Sequence, residues 1–382
     1  MEYRRIGNTG MEASVVGLGA ENLDFTPYEQ VAGTIHKAMD LGVNIMDVFM
    51  PGEEIRKNIG KALKGRRDKM LIQGHIGSTD VGKQYDISRD LPTCERYFTD
   101  LMKHLDTDYI DLGMLFFVDS EKDFEKVFDT EILEYALKLK EKGVIRALGA
   151  SCHNPVTAKR MVETGYLDTL MFSINPAFDM LPPEVSFDSE DIGEHYERGE
   201  GIAPDRAALY KACETRGVAI TVMKTLGAGK LVNADHTPFG GPLTVGQCIH
   251  YALTRPAVVS TLVGCKTPAE MADAANYVNL TAEERDYTPI LERKWGKSFT
   301  GSCVYCNHCL PCPANIDIGA VNKYLDIAKL DEGNIPPSIR QHYGALSAHG
   351  GDCIACGSCE GRCPFGVSII ENMEKATALF GE

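Results

Sequence analysis

Eight of the 13 cysteines fall after residue 300, in two runs of regular spacing. The first is Cys303-x2-Cys306-x2-Cys309-x2-Cys312-Pro313, and the second is Cys353-x2-Cys356-x2-Cys359-x3-Cys363-Pro364. Two-residue gaps turn successive thiolates around one small inorganic core, and a fourth cysteine ahead of proline ligates the neighbouring cluster. Zinc also takes four cysteines, but its sites pair two C-x-x-C halves rather than running three gaps in series. In a reducing compartment such runs bind metal far more often than they form disulfides. The spacing predicts two [4Fe–4S] clusters. Cys303, Cys306, Cys309 and Cys363 would hold one, and Cys353, Cys356, Cys359 and Cys312 the other. His308 lies between ligands and is expected to face solvent or an amide, because eight thiolates satisfy both clusters. Two clusters in a row form a path for single electrons. The remaining cysteines, 94, 152, 213, 248 and 265, are scattered singly.

A second chemical signal lies near the start. The apolar run Val43-Asn44-Ile45-Met46-Asp47-Val48 ends on a carboxylate, and a Pro-Gly turn then opens the helical pattern "EEIRKNIGKAL". A carboxylate at the end of a core strand is costly unless something needs it. His75 closes a similar apolar run, so an Asp47–His75 pair at the ends of neighbouring strands is a candidate for acid/base work.

These residues need a scaffold. Short apolar runs at 15–19, 43–48, 70–75, 110–117, 144–151, 169–175, 219–224 and 260–265 alternate with helical patterns such as "CERYFTDLMKHL" and "LEYALKLKEKG". Eight near-continuous strands, each followed by a helix, imply a parallel sheet covered on its outside. The α/β fold expected is a (β/α)8 TIM barrel over 1–295, with a hairpin from "YRRIGNTGMEASVVGLG" plugging its base. A doubly wound sheet is the alternative, but G-x-G-x-x-G is absent after the first strand. Residues 296–382 form a separate metal-binding module with a helix at "IDIGAVNKYLDIAKL". Long loops at 77–90 and after the sixth strand are expected to be lids or specificity elements. A formal charge of −15 argues against a nucleic-acid or anionic-membrane surface. There is no basic, apolar leader and no apolar run near the roughly 20 residues that span a bilayer, so a cytoplasmic protein is expected.

The segments "YRRIGNTGMEASVVGLG", "GVNIMDV…EEIRKNIGKAL", "DYIDLGMLFF", "GVIRALGAS", "VMKTLGAGKL" and "YALTRPAVVSTLVGCKTPAEM" together resemble the aldo-keto reductase superfamily. The resemblance covers roughly residues 1–275. With the cysteine-rich tail, which is similar to helical dicluster ferredoxins, it looks like the ferredoxin-tailed branch of that superfamily. The resemblance implies a barrel, NADP(H), and an Asp, Tyr, Lys and His tetrad for carbonyl reduction. Only Asp47 matches. Met50-Pro51-Gly52 stands where the tyrosine is expected, His75 replaces the lysine, and Phe116 replaces the histidine. Tyr85, Lys83, His195, Tyr196 and Arg198 lie in the mouth loops as candidates for a replacement acid or an anion clamp.

The resemblance also maps the cofactor positions. Ser151, His153 and Asn154 match the nicotinamide-amide region, and Met171 replaces its usual glutamine. Lys224, Gly227, Gly229 and Lys230 form a glycine-rich phosphate loop, and Lys266 matches the adenosine-phosphate region. Clusters pass one electron and nicotinamide passes a hydride, so coupling them needs a converter such as FMN. Two cofactor readings therefore stand, NADP(H) or FMN.

The favoured expectation is an iron–sulfur oxidoreductase. Its clusters relay electrons between a small-molecule substrate at the barrel mouth and a redox partner, a ferredoxin or flavoprotein. The alternatives are a non-catalytic electron-transfer or partner-binding subunit, and an NADPH-dependent carbonyl reductase with structural clusters.

Overall fold

The computed structural model describes every residue except 81–84, 180–201, 296–300, 302, 304, 306, 308, 330–334, 336, 364 and 382, and describes 292–295 by backbone alone. Cys306, Lys83, His195, Tyr196, Arg198 and His308 therefore lie outside the described residues.

Strands β1 (Tyr3–Arg5) and β2 (Glu12–Ser14) form the antiparallel hairpin. Strands β3 (Val16–Gly19), β4 (Ile45–Val48) and β5 (Leu71–Ile76) begin the barrel. A small ladder of β6 (Ser78–Thr79) and β7 (Asp86–Ile87) follows. The barrel continues with β8 (Ile110–Leu115), β9 (Ile145–Cys152), β10 (Thr169–Ser173), β11 (Ala219–Met223) and β12 (Val258–Gly264). These strands pair in parallel in chain order, and β12 returns to β3 to close the barrel. All eight expected strands form within a few residues of their expected limits. The β6–β7 ladder was not foreseen.

Closure follows from burial on both faces. Outward apolar side chains meet the helices, while the hairpin residues Ile6, Met11 and Ala13 pack on inward residues such as Leu112, Met114 and Ala147. The hairpin thus plugs the barrel at the N-terminal ends of the strands, and the opposite end remains the mouth. Helices start where the sequence supplies caps. Asp90 accepts from Thr93 N–H at 3.0 Å, and Thr244 and Gln247 form a capping box. Among the described residues, no helix is long and apolar enough to cross a membrane.

Beyond residue 300, helices Ile318–Lys329, Pro337–Gly344 and Ile369–Phe380 pack into the same apolar core as the barrel helices. Only the first of these was expected. The tail is fastened at the plugged end. His342 Nδ1 lies 2.5 Å from Glu214 Oε1, and Ser338 Oγ donates to the Glu214 carbonyl at 3.0 Å. Glu214 closes the helix Pro204–Arg216, just before β11 begins.

This clamp titrates in two directions. The hydrogen bond that His342 donates to Glu214 raises the His342 imidazole, with burial opposing it. That contribution is whole below the ordinary histidine value and is lost as pH rises through the raised one. Burial pushes the Glu214 carboxyl up, but His342 and Lys323 together hold it below its ordinary value. That contribution is present above the ordinary carboxylate value and is lost as pH falls through the lowered one. The tail should dock most firmly between about pH 4.5 and pH 6.5. Intrinsic-rate-corrected hydrogen exchange in Pro337–Gly344 should therefore rise in alkaline buffer, and Glu214→Gln should remove that dependence. Exchange that ignores pH in the native chain would contradict the clamp.

Candidate active site

In the parallel register Asp47 faces Gln73, and His75 follows two residues later on the same inward face. Gln73 is fully buried, and Asp47 and His75 are each 2% exposed. One oxygen, Asp47 Oδ1, accepts from His75 Nε2 at 2.7 Å and from Gln73 Nε2 at 3.0 Å. An ionised carboxylate only accepts, so this contact assigns the proton to Nε2. His75 Nδ1 is buried and, among the described residues, has no hydrogen-bond partner. The pair can therefore take up a proton at Nδ1, with Asp47 stabilising the imidazolium, and can return it to a substrate oxygen.

The site opens into a cavity of about 480 Å³ at the mouth, within the size range of small-molecule sites. Its lining includes Asp47, His75, Tyr85, Ser151, Lys224 and Gly229. One wall is aromatic. Phe49 stacks on Phe116 with centroids 5.7 Å apart, and His75 meets Phe116 edge-on at 5.2 Å. Tyr85 stands edge-on to Phe49 at 5.3 Å and to Phe116 at 6.0 Å.

Hydrogen bonds to the backbone hold this wall. Arg56, 1% exposed, donates from Nε to the Met50 carbonyl at 2.8 Å, and Ser78 Oγ donates to the Phe49 carbonyl at 2.6 Å. Burial lowers the Arg56 guanidinium to about 10. Arg89 donates to the Phe116 and Phe117 carbonyls at 3.0 and 2.8 Å. The segment Met50-Pro51-Gly52 is thus pinned from behind, with Phe49 facing the cavity and no phenol at that place.

Charge at the mouth is mixed. Burial raises the Glu21 carboxyl, Lys224 opposes that rise, and Asp47 adds to it. Burial, then Glu21, raises the Tyr85 phenol, which keeps it a hydrogen-bond donor at neutral pH. His153 lines the cavity and contacts Asp119 Oδ2 through Nδ1 at 2.9 Å. Burial would raise Asp119, but the hydrogen bonds from His153 outweigh it and hold the carboxyl below its ordinary value.

The expected cofactor residues divide. Ser151, Lys224 and Gly229 line the cavity, and Ser151 Oγ accepts from Phe117 N–H at 2.8 Å. Lys224 (φ 57°), Gly227 (φ 58°) and Gly229 (φ 84°) give the loop a left-handed course, and Lys230 opens the short helix Lys230–Val232. Asn154 Oδ1 accepts from Val156 and Thr157 N–H, which commits it to capping the helix Pro155–Glu163. Lys266 N–H donates to Glu270 Oε2 at 2.6 Å, ahead of the helix Pro268–Ala275. Sequence reasoning missed Gln73 and Glu21. The strand period of two, counted back from His75, places Gln73 on the same inward face.

In the tail, Cys312, Cys353, Cys356 and Cys359 line one cavity with Ile316, Ile318 and Met373. Gly301 N–H donates to the Phe365 carbonyl at 2.7 Å, and Arg362 Nε donates to the Cys309 carbonyl at 3.1 Å. The end of the second motif is thereby drawn against the first. Among the described residues, no three His, Cys, Asp or Glu side chains stand close enough to hold a single metal ion.

Residues 15–242 match the aldo/keto reductase family, and the chain belongs to it. It is 27% identical over 304 residues to the uncharacterized oxidoreductase YqkF of Bacillus subtilis, covering 74% of this chain and 94% of that protein. It is 31% identical over 163 residues to the aldo-keto reductase YhdN of Bacillus subtilis, covering 40% of this chain and 47% of that one. Among solved structures, the aldo-keto reductase AKR11C1 of Bacillus halodurans (holo form) superimposes with a TM-score of 0.57 at 21% identity. That likeness covers 75% of this chain and 94% of the other. The barrel is thus of the family's (β/α)8 kind, and the chain is an oxidoreductase. The family match ends at residue 242, ahead of both cysteine motifs.

Truncating Asp47 leaves two buried donors without an acceptor. Asp47→Ala should lower the unfolding free energy by roughly 1–3 kcal/mol, measured by urea denaturation near neutral pH. Asp47→Asn, which keeps an acceptor oxygen, should lose less. An Asp47→Ala chain as stable as the native one would mean that the triad is not held as described.

Proposed function

We propose that this oxidoreductase carries two [4Fe–4S] clusters in its tail and uses their electrons on a small organic substrate in the mouth cavity. The observation that carries this reading is the single cavity lined by Cys312 together with Cys353, Cys356 and Cys359. That is the ligand set expected when the cysteine before proline crosses to the neighbouring cluster. A four-iron core is larger than one ion and holds its thiolates farther apart than a mononuclear metal does. A cysteine-lined space without a mononuclear site is therefore compatible with it. Cys303, Cys306, Cys309 and Cys363 would hold the other cluster, and the contacts from Gly301 to Phe365 and from Arg362 to Cys309 support that crossing. Bound clusters would supply single electrons. The chain's own residues would handle the rest: His75 moves a proton at Nδ1, Asp47 stabilises the charged imidazole, and Phe49, Phe116 and Tyr85 exclude water. Thiolates kept reduced agree with a cytoplasmic setting and with a ferredoxin or flavoprotein as redox partner.

A second reading is NADP(H)-dependent carbonyl reduction with structural clusters. Family membership favours it, as does the presence of Ser151, Lys224 and Gly229 in the cavity lining. Those residues fit a nicotinamide amide and a phosphate, and the same lysine would also suit FMN. In this reading Tyr85 is the phenol that lines the cavity among the described residues, and Tyr85→Phe should remove the activity.

Protein purified without oxygen should be brown and contain iron and acid-labile sulfide in equal amounts. Cys312→Ala should perturb the cluster of the second motif rather than the first. On a panel of aldehydes, ketones and quinones, with either reduced methyl viologen or NADPH as donor, His75→Ala should lower turnover about 10²–10⁴-fold. Zinc in place of iron would overturn the electron-transfer reading, and full turnover by His75→Ala would remove the proton role.

A further inference from the structure

A second histidine, His153, lines the same mouth cavity as His75. It directly follows β9, and the Asp119 carboxylate holds it at two points. The backbone N–H of His153 donates to Asp119 Oδ1 at 2.7 Å, and its ring Nδ1 lies 2.9 Å from Oδ2. An ionised carboxylate only accepts, so the ring carries its proton on Nδ1. Nε2 is then the nitrogen left to a molecule in the cavity. The Asp47–His75 pair is built the other way round. There Nε2 is spent on the carboxylate, and Nδ1 has no partner among the described residues. Two carboxylate-backed imidazoles therefore serve one cavity.

The wall between them is fixed. Strands β5 and β9 both pair with β8, which sets the two histidines two strand spacings apart, roughly 10 Å around the barrel. Phe116 and Phe117 follow β8 and fill that interval. Phe116 meets His75 edge-on, Phe117 packs on Phe116 at 5.9 Å, and the His153 ring lies 4.9 Å from Phe117. Phe117 has φ 53°, a left-handed conformation that is costly for a bulky side chain. Two hydrogen bonds hold it there. Its N–H donates to Ser151 Oγ at 2.8 Å, and its carbonyl accepts from Arg89 Nη2 at 2.8 Å. The two phenyl rings thus keep the imidazoles apart.

We propose that the mouth takes a para-quinone, with His75 protonating one of its oxygens and His153 the other. The inference rests on the electron-relay reading given above. A single electron arrives without a proton, whereas a hydride brings its own hydrogen. A two-electron reduction driven by single electrons therefore draws two protons from the site. Two equivalents of a one-electron donor are oxidised, both quinone C=O bonds become C–OH, and the ring becomes aromatic. Each imidazolium gives one proton to one oxygen and is reprotonated from solvent. An isolated ketone has its carbon and oxygen side by side, which two donors held apart by two rings do not match. A quinone carries its oxygens at opposite ends of a flat ring, each with lone pairs for one N–H. The stacked pair Phe49 and Phe116 suits such a ring, and the cavity of about 480 Å³ gives it room.

The test is calorimetric titration of the full chain, purified without oxygen, with two ligands. Durohydroquinone carries two hydroxyls on a fully methylated ring, so its oxidised form offers no open position to cysteine. The control, 2,3,5,6-tetramethylphenol, is the same ring with one hydroxyl. The native chain should bind durohydroquinone about tenfold more tightly than the phenol, the worth of one further hydrogen bond. H75A and H153A should each abolish that preference. The comparison in the native chain is decisive without any variant folding. Equal affinity of the native chain for the two ligands would overturn the proposal, as would a preference that survives H153A. A chain that takes up no iron yet prefers durohydroquinone would overturn the electron relay and leave the quinone site standing. An iron-loaded chain without the preference would overturn the quinone site and leave the relay.

Discussion

A carboxylate buried inside a barrel must be met by compensating groups, because the cost of stripping its water exceeds what packing returns. Three buried aspartates among the described residues solve this differently. Asp111 meets Arg67 at 2.9 Å and Arg146 at 2.8 Å, and Asp179 meets Arg206 at 3.1 Å. Arginine is always charged, so those two are permanent structural pairs. Asp47 instead meets an imidazole and an amide. An imidazole and an amide compensate the carboxylate through hydrogen bonds rather than through a permanent cation. Gln73 adds a second donor to the same carboxylate oxygen and so fixes the carboxylate beside His75.

Around that pair the wall of the mouth is apolar. Phe116 stands at the position expected for the histidine and stacks on Phe49, just ahead of the Met50-Pro51-Gly52 segment. Arg56, Ser78 and Arg89 each spend donors on holding the backbone behind them.

The sequence made the scaffold legible because buried parallel strands read as apolar runs, and eight of them alternate with capped helices. The Asp47–His75 contact was legible for the same reason, since both residues end neighbouring runs. Gln73 was not singled out, although the strand period puts it on the inward face, because an amide within an apolar run carries no sign of its partner. Asn154 looked like a cofactor ligand by position, yet its geometry spends the side chain on a helix start, a use that sequence position alone does not distinguish. The packing of Tyr305 on Arg255 joins residues far apart in the chain through side-chain reach, which no local pattern encodes. The β6–β7 ladder was missed because two-residue strands leave no periodicity.

The tail is fastened where Glu214 ends its helix and where Arg255 precedes the last strand, at the plugged end of the barrel. Among the described residues, the loops that shape the mouth take no part in the His342–Glu214 and Ser338–Glu214 contacts. Selection can therefore lengthen, shorten or recharge the mouth loops without loosening the module behind them, and can alter the module without reshaping the mouth. A chain built this way can vary its mouth and its tail along separate evolutionary paths.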